Sequence, residues 1–159
     1  MTWNDLPDHA RVWIYPANRA LSPAEQDAAN KAVQRFATQW TAHRRELSAF
    51  GDLYKSRFLR LAVDESSAGA SGCSIDASVR FVQQLGAQLG VDWLDRRMVY
   101  TRSSDGELTA RSVDAFAEAY AEGHIADNTT VVDTLVDSKA KFDVGFERPL
   151  VESWHARLV

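Results

Sequence analysis

The sequence predicts an α/β or α+β fold: about five strands in one sheet with three main helices, in the order β-α-β-α-β-β-α-β. Three observations carry this expectation. Long stretches with helical spacing open on capping residues, short β-rich runs separate them, and an Asp-Gly pair marks a hairpin in the second half. With 159 residues, 45% hydrophobic and 25% charged, the chain has the make-up of a compact globular protein. A chain of this length buries roughly 70% of its unfolded surface and needs no covalent staple. The expected organisation is one domain, 1–159, with a sub-boundary near residue 95 between a 1–95 α/β half and a 96–159 hairpin-helix-strand half.

The first strand is Val12 to Tyr15, stopped by Pro16 and Asn18. The first helix follows in "LSPAEQDAANKAVQRFATQWTAHRR", with Ser22 as N-cap, Pro23 at the first helical position and Glu25 completing a capping box. Ala29, Val33, Phe36 and Trp40 share a face, which predicts an amphipathic helix of about five turns ending near His43, where Arg44 and Arg45 complement the helix C-terminus. From about Tyr54 to Val63 the chain alternates Leu59, Leu61 and Val63 against Phe58, Arg60 and Ala62, the pattern of a strand.

The second helix is expected over "SIDASVRFVQQLGAQLG", capped by Ser74 and Asp76, with Ile75, Val79, Val82, Leu85 and Leu89 inward and Gly90 as a left-handed C-cap. "RMVYTRSSDGELTARS" reads as a hairpin turning at Asp105-Gly106. Ser112 caps a third helix with Val113, Phe116, Ala117 and Tyr120 inward and Gly123 ending it. "NTTVVDTLV" is a last strand, and after Pro149 a short helix docks Trp154 and Leu158.

Charge and cysteine content narrow the partners. The formal net charge is -4, and no basic run exceeds "HRRE" or "DRRM", which argues against a nucleic-acid surface. The single cysteine excludes an internal disulfide and a cysteine-rich zinc site. The start "MTWNDLPDHARVW" lacks signal-peptide order, and no run approaches the ~20 apolar residues of a membrane span. The expectation is a soluble cytoplasmic protein that meets a small anionic ligand or another protein, its oligomeric state open.

The stretch "DESSAGASGCSIDASVRF", 64–81, concentrates the candidate chemistry. It leaves a strand through Asp64 and Glu65, crosses small residues and enters a helix beside Cys73. Ser71, Gly72 and Ser74, with Asp64 and Glu65 at the edge, form the candidate ligand site, because exposed N–H groups and small side chains let an anion approach a helix start. If the preceding strand is central and parallel to a neighbour, the loop also lies at the edge where open sheets bind ligands. Cys73 is the candidate nucleophile, since a helix N-terminus favours thiolate, and His155 beside Trp154 is the most suggestive of the four histidines as its base. A lone cysteine is nevertheless more often a core residue. No metal-ligand spacing and no cofactor motif is evident; the Asp64 and Glu65 pair is the one feature that suits Mg²⁺.

Taken together, "LPDHARVWIYPANRALS", "FLRLAVDESSAGASGCSIDASVRF" and "SWHARL" resemble a family of small bacterial proteins of about this length that carries the label "ABC transporter ATPase". The resemblance implies a nucleotide-binding ATPase by its label alone. A P-loop needs G-x-x-x-x-G-K-[ST], and no lysine follows Gly72. Nothing in "TTVVDTLVD" builds an apolar strand ending in the usual acidic Mg²⁺ partner, and no "LSGGQ"-like signature is present, so a P-loop ATPase is not expected. Residues 97 to 136 are similar to the GYF-type adaptor module, in which a strand pair, a helix, a Gly-x-Ile turn and a Thr-x-Val strand succeed one another. The Gly-Tyr-Phe tripeptide and the Trp after the last strand are missing. That likeness implies a non-catalytic interaction protein as the alternative function.

Overall fold

The computed structural model describes residues 1–159, with four α-helices and nine strands in three sheets. The expected single sheet of about five strands with three helices is therefore replaced by three separate antiparallel sheets, and a fourth helix is added. The chain divides into two units: Met1–Leu94 with Leu135–Val144, and Asp95–Thr134 with Gly145–Val159. No helix is long and apolar enough to cross a membrane.

In the first unit β1 (Arg11–Pro16) and β4 (Ser48–Tyr54) flank β5 (Phe58–Asp64), both antiparallel to it. The strand expected over 54–63 is thus the second arm of a hairpin. Its turn, Lys55-Ser56, has φ of 46° and 63°, two left-handed residues of the kind a tight hairpin turn demands, but with neither glycine nor asparagine to announce it. The β5 alternation is as expected. Leu59, Leu61 and Val63 are fully buried with Val33 and Ala37 of α1 (Pro23–Gln39) and Val82 and Leu85 of α2 (Gly72–Leu89).

Helix α1 has the expected capping box: Ser22 Oγ accepts from Glu25 N–H and the Glu25 carboxylate accepts from Ser22 N–H. It stops at Gln39, short of His43. The expected role of His43 at a helix C-terminus is overturned, because β2 (Thr41–Ala42) and β3 (Arg45–Glu46) form a small hairpin whose turn is His43-Arg44, φ 50° and 65°. Trp40 ends the helix by sealing into the core, its indole donating to the Ser74 carbonyl. Gly51 in β4 lets the strand approach α1: a Cβ there would lie 2.7 Å from the Val33 carbonyl oxygen.

Helix α2 starts earlier than expected, with Ser71 and not Ser74 or Asp76 as N-cap. Its buried stripe is Ser74, Ser78, Val82, Leu85 and Gly86, a rotation from the expected Ile75 and Val79, because Ser78 meets Tyr15 Oη at 3.2 Å. Gly90, φ 67°, closes the helix as expected.

The second unit holds β6 (Met98–Arg102), β7 (Leu108–Ser112), β8 (Thr130–Val132) and β9 (Glu147–Pro149) in the order β7-β6-β8-β9. The β6–β7 hairpin turns at Asp105-Gly106, as expected, with Gly106 at φ 89°. Helix α3 (Val113–Ala121) is capped by Ser112 and buries Phe116 and Ala119 against Val99, Ile125, Val131 and Leu150. Val113, expected inward, is exposed. The run "NTTVVDTLV" supplies only three strand residues before the chain makes α4 (Lys139–Gly145), an element the sequence reading did not contain. The tail forms two short 3-10 turns, Leu150–Glu152 and Trp154–Leu158, which bury Leu150 and His155 and leave Trp154 exposed.

Candidate functional site

Residues 64–76 form a closed loop that spends its polar groups on itself. Asp64 accepts from the backbone N–H and hydroxyl of Ser66. These bonds, the hydroxyl's first, hold the Asp64 carboxyl below the usual range, with His9 adding a weaker pull from 3.8 Å. Glu65 turns instead to the Ala70 N–H at 2.9 Å, so the two carboxylates serve separate bonds. Gly69 fits under that bond, where a Cβ would come within 2.9 Å of the Glu65 carboxylate.

Ser71 and Ser74 bond each other reciprocally at the start of α2, and Ser74 Oγ also donates to the Thr41 carbonyl. Both hydroxyls and the Ser74 N–H of the first turn are thereby satisfied, which is the capping-box arrangement. Gly72 is exposed, with nothing within 4 Å of a Cβ placed on it. The condition that the preceding strand be parallel fails, since β5 runs antiparallel to both neighbours. The expectation of a core Cys73 is also overturned: the thiol is free and exposed on the first turn of α2.

His155 belongs to the second unit and is 3% exposed. Its Nδ1 lies 2.6 Å from Ser153 Oγ, its ring stacks on Trp154 at 3.8 Å, and Phe116 stands edge-on to it. Burial pushes its pKa below the ordinary histidine value, only partly opposed by the charge of Asp133. No cluster of three or more His, Cys, Asp or Glu side chains is placed to hold a metal ion.

A different constellation appears at one end of the second unit's sheet, where the β6–β7 hairpin meets the connection between α3 and β8. It encloses a cavity of about 420 Å³. The hairpin register sets Thr101 opposite Thr109 and Val99 opposite Arg111, so Thr101, Thr109 and Arg111 share one face. Val99 and Thr101 are buried on this face near α3, and at the sheet edge the longer Arg111 reaches across to give Nη1 to Thr101 Oγ1 at 2.9 Å. Arg102 also lines the cavity, bound through Nε to Glu147 and through Nη1 to the Gly106 carbonyl. Its Nη2 is buried with no hydrogen-bond partner.

The wall is otherwise made of His124, Ile125, Asn128 and the hydroxyls of Ser103, Ser104, Thr129 and Thr130. It contains no carboxylate, in a chain whose net charge is -4. Glu147 compensates Arg102, whereas Arg111 is in no ion pair. The nearby Asp105 is turned into the hairpin: the Ser103 hydroxyl and then the Glu107 N–H hold its carboxyl below the usual range. His124 has only a solvent-exposed pairing with Glu122 at 3.4 Å, a weak interaction in water. The arrangement therefore presents one guanidinium outside any ion pair in the lining of a hollow made mostly of hydroxyl-bearing residues.

Of these cavity residues only His124 stands out in the sequence, as one of the four histidines that could partner Cys73. The signal was present in the Asp-Gly turn, which fixes the register and hence the shared face of Thr101, Thr109 and Arg111. The contribution of His124 to Thr130 depends on where α3 and β8 place their connection, which no local pattern encodes. No protein-family model, curated protein or solved structure matches this chain.

Proposed function

We propose that this chain binds a small anionic ligand in the cavity of its second unit, with Arg111 as the residue that meets the negative charge. The ligand class is the one expected for residues 64–76; the favoured location differs. The observation that carries the reading is the lining itself, with Arg102, Arg111 and His124 present and no carboxylate. A charge next to an uncompensated guanidinium is attracted in proportion to how far water is excluded, and a hollow excludes more water than a convex surface. At 64–76, by contrast, the carboxylates of Asp64 and Glu65 and the hydroxyls of Ser71 and Ser74, four of the five residues expected to form the site, already have protein partners. Thiol chemistry at Cys73 has an exposed sulfur in its favour and no more.

The test is a thermal-shift and calorimetric screen of the full chain with phosphate, sulfate, citrate and ATP, each with and without Mg²⁺. Two variants are run beside it, Arg111→Gln and Gly72→Val. Binding lost in the first and kept in the second is the expected result; the reverse would return the site to the 64–76 loop.

A second reading, a non-catalytic interaction protein, is favoured by one observation. Trp154 is 39% exposed on the C-terminal turns, and Val151 and Val159, three and five residues away in sequence, are exposed as well. Single exposed apolar residues are ordinary, but an exposed tryptophan and two exposed valines within nine residues are the composition of a surface that partners use. An absence of anion binding in the screen, combined with concentration-dependent association removed by Trp154→Ser, would make this the better account.

A further inference from the structure

We infer, resting on the anion reading above, that the ligand is a small polyhydroxylated molecule bearing a single oxyanion group, such as a sugar phosphate or a sugar acid. The cavity has one uncompensated cation to offer, because the Arg102 charge is matched by Glu147. A ligand with two separated negative groups would leave the second one beside neutral hydroxyls and short of a counter-charge.

The rest of the wall dictates the body of the ligand. Ser104, Thr109, Thr130 and Asn128 bring hydroxyls and an amide, while the hydroxyls of Thr101, Ser103 and Thr129 are already engaged by Arg111, by Asp105 with the Glu107 N–H, and by the Ala126 N–H. Each of these groups both donates and accepts, which is the hydrogen-bonding character of a polyol. Ile125 is the one large apolar residue in the lining, and no Phe, Tyr or Trp is there. A nucleobase would therefore have only the solvent-exposed His124 imidazole and the arginine planes to stack on. The volume, about 420 Å³, lies in the range of small-ligand sites.

The experiment is calorimetry on the full chain with paired probes: inorganic phosphate against ribose 5-phosphate, acetate against gluconate, ribose alone, and AMP. Ribose 5-phosphate or gluconate is expected to bind at least about tenfold tighter than its bare anion. AMP is expected to bind no tighter than ribose 5-phosphate, and ribose alone to bind weakest. Thr109→Val with Thr130→Val should weaken ribose 5-phosphate more than phosphate, with circular dichroism verifying the fold. Equal affinity for anion and polyhydroxylated anion, both sensitive to Arg111→Gln, would overturn this inference and leave the anion reading standing. A tenfold gain from the adenine base would overturn it as well. Absence of any Arg111-dependent binding across the panel would remove the anion reading itself.

Discussion

Arg60, on the central strand of the first unit, places its guanidinium 4.1 Å from the ring centre of Trp3 while giving two hydrogen bonds to Asp52. Tyr54, Phe142 and Phe50 complete the surround at 4.4, 4.9 and 5.5 Å. The register explains the assembly, since Asp52 lies directly opposite Arg60, and Phe50 and Tyr54 are on the same face of β4. Asp143 of α4 accepts from the Trp3 indole and from Lys139. Burial raises its carboxyl pKa, but those two bonds and the charges of Lys139 and Arg60 outweigh burial and hold it below the usual range.

A guanidinium that is 6% exposed depends on its counter-ion. Asp52→Ala is expected to cost about 3–5 kcal/mol, the range for stranding one member of a buried pair. The double change Arg60→Met with Asp52→Leu, which removes both charges, is expected to cost much less. Urea melts of the three proteins check the ordering. Equal losses would mean that the aromatic rings and not the carboxylate stabilise the cation.

The close approach of β4 to α1 makes Gly51→Ala costly despite its small size. The new methyl group would press on a backbone carbonyl, which cannot swing aside as a side chain can. A loss of about 1–3 kcal/mol is expected, the usual range for overpacking, and denaturant midpoints measure it.

For the long first helix, Ser22→Ala removes the acceptor of the Glu25 N–H, and a loss of about 0.5–2 kcal/mol is expected on the same melts. Unchanged stability would show that the Arg19 and Glu25 pair, doubly hydrogen-bonded at this helix start, holds the turn unaided.

Acid sensitivity should track His155. Its folded pKa is depressed, chiefly by burial, so the unfolded chain binds the proton more readily. The stabilising contribution is complete above the ordinary value of about 6.5 and is lost as pH falls through the folded value. His155→Phe should flatten the stability profile between about pH 7.5 and 5 relative to the wild type, as read from denaturant midpoints. Identical slopes would assign that sensitivity to other groups.

Cys73 should react with a thiol reagent in the native protein, because it is exposed. One equivalent modified before denaturant is added is the expected count, by mass spectrometry; modification only after unfolding would contradict its exposure.

Where residues speak through local chemistry, the fold was legible. Ser22 and Ser112 cap the helices expected of them, Gly90 closes α2, and Asp105-Gly106 turns the hairpin. The failures share a cause. His43-Arg44 and Lys55-Ser56 adopt left-handed turns without the residues that favour them, so tertiary packing of the flanking strands sets their conformation. Missing the second turn left β4 unread apart from Tyr54, hid the pairing of Asp52 with Arg60, and left an isolated arginine on a strand face. The other cavity residues were invisible for a related reason: Arg102 and Arg111 are unremarkable on two strands until the connection between α3 and β8 is set beside them.

The return of residues 135–144 to the first unit also sets an order of assembly. Backbone bonds tie this segment to the N-terminal part of the chain, from Val12 to Asp137, from Lys139 to Ala10 and from Ala140 to Asp8. Phe142 supplies one wall around Arg60. During synthesis, a nascent chain that has emerged only as far as Leu94 therefore carries an open first unit, with Arg60 and its rings incompletely covered. Closure waits for some fifty further residues, most of which belong to the second unit. Release of the chain before residue 144 would leave the first sheet exposed on that face, so a chaperone's interval of contact should extend through translation of α4, and a stop codon at 95 should yield an aggregating product and not an independent domain.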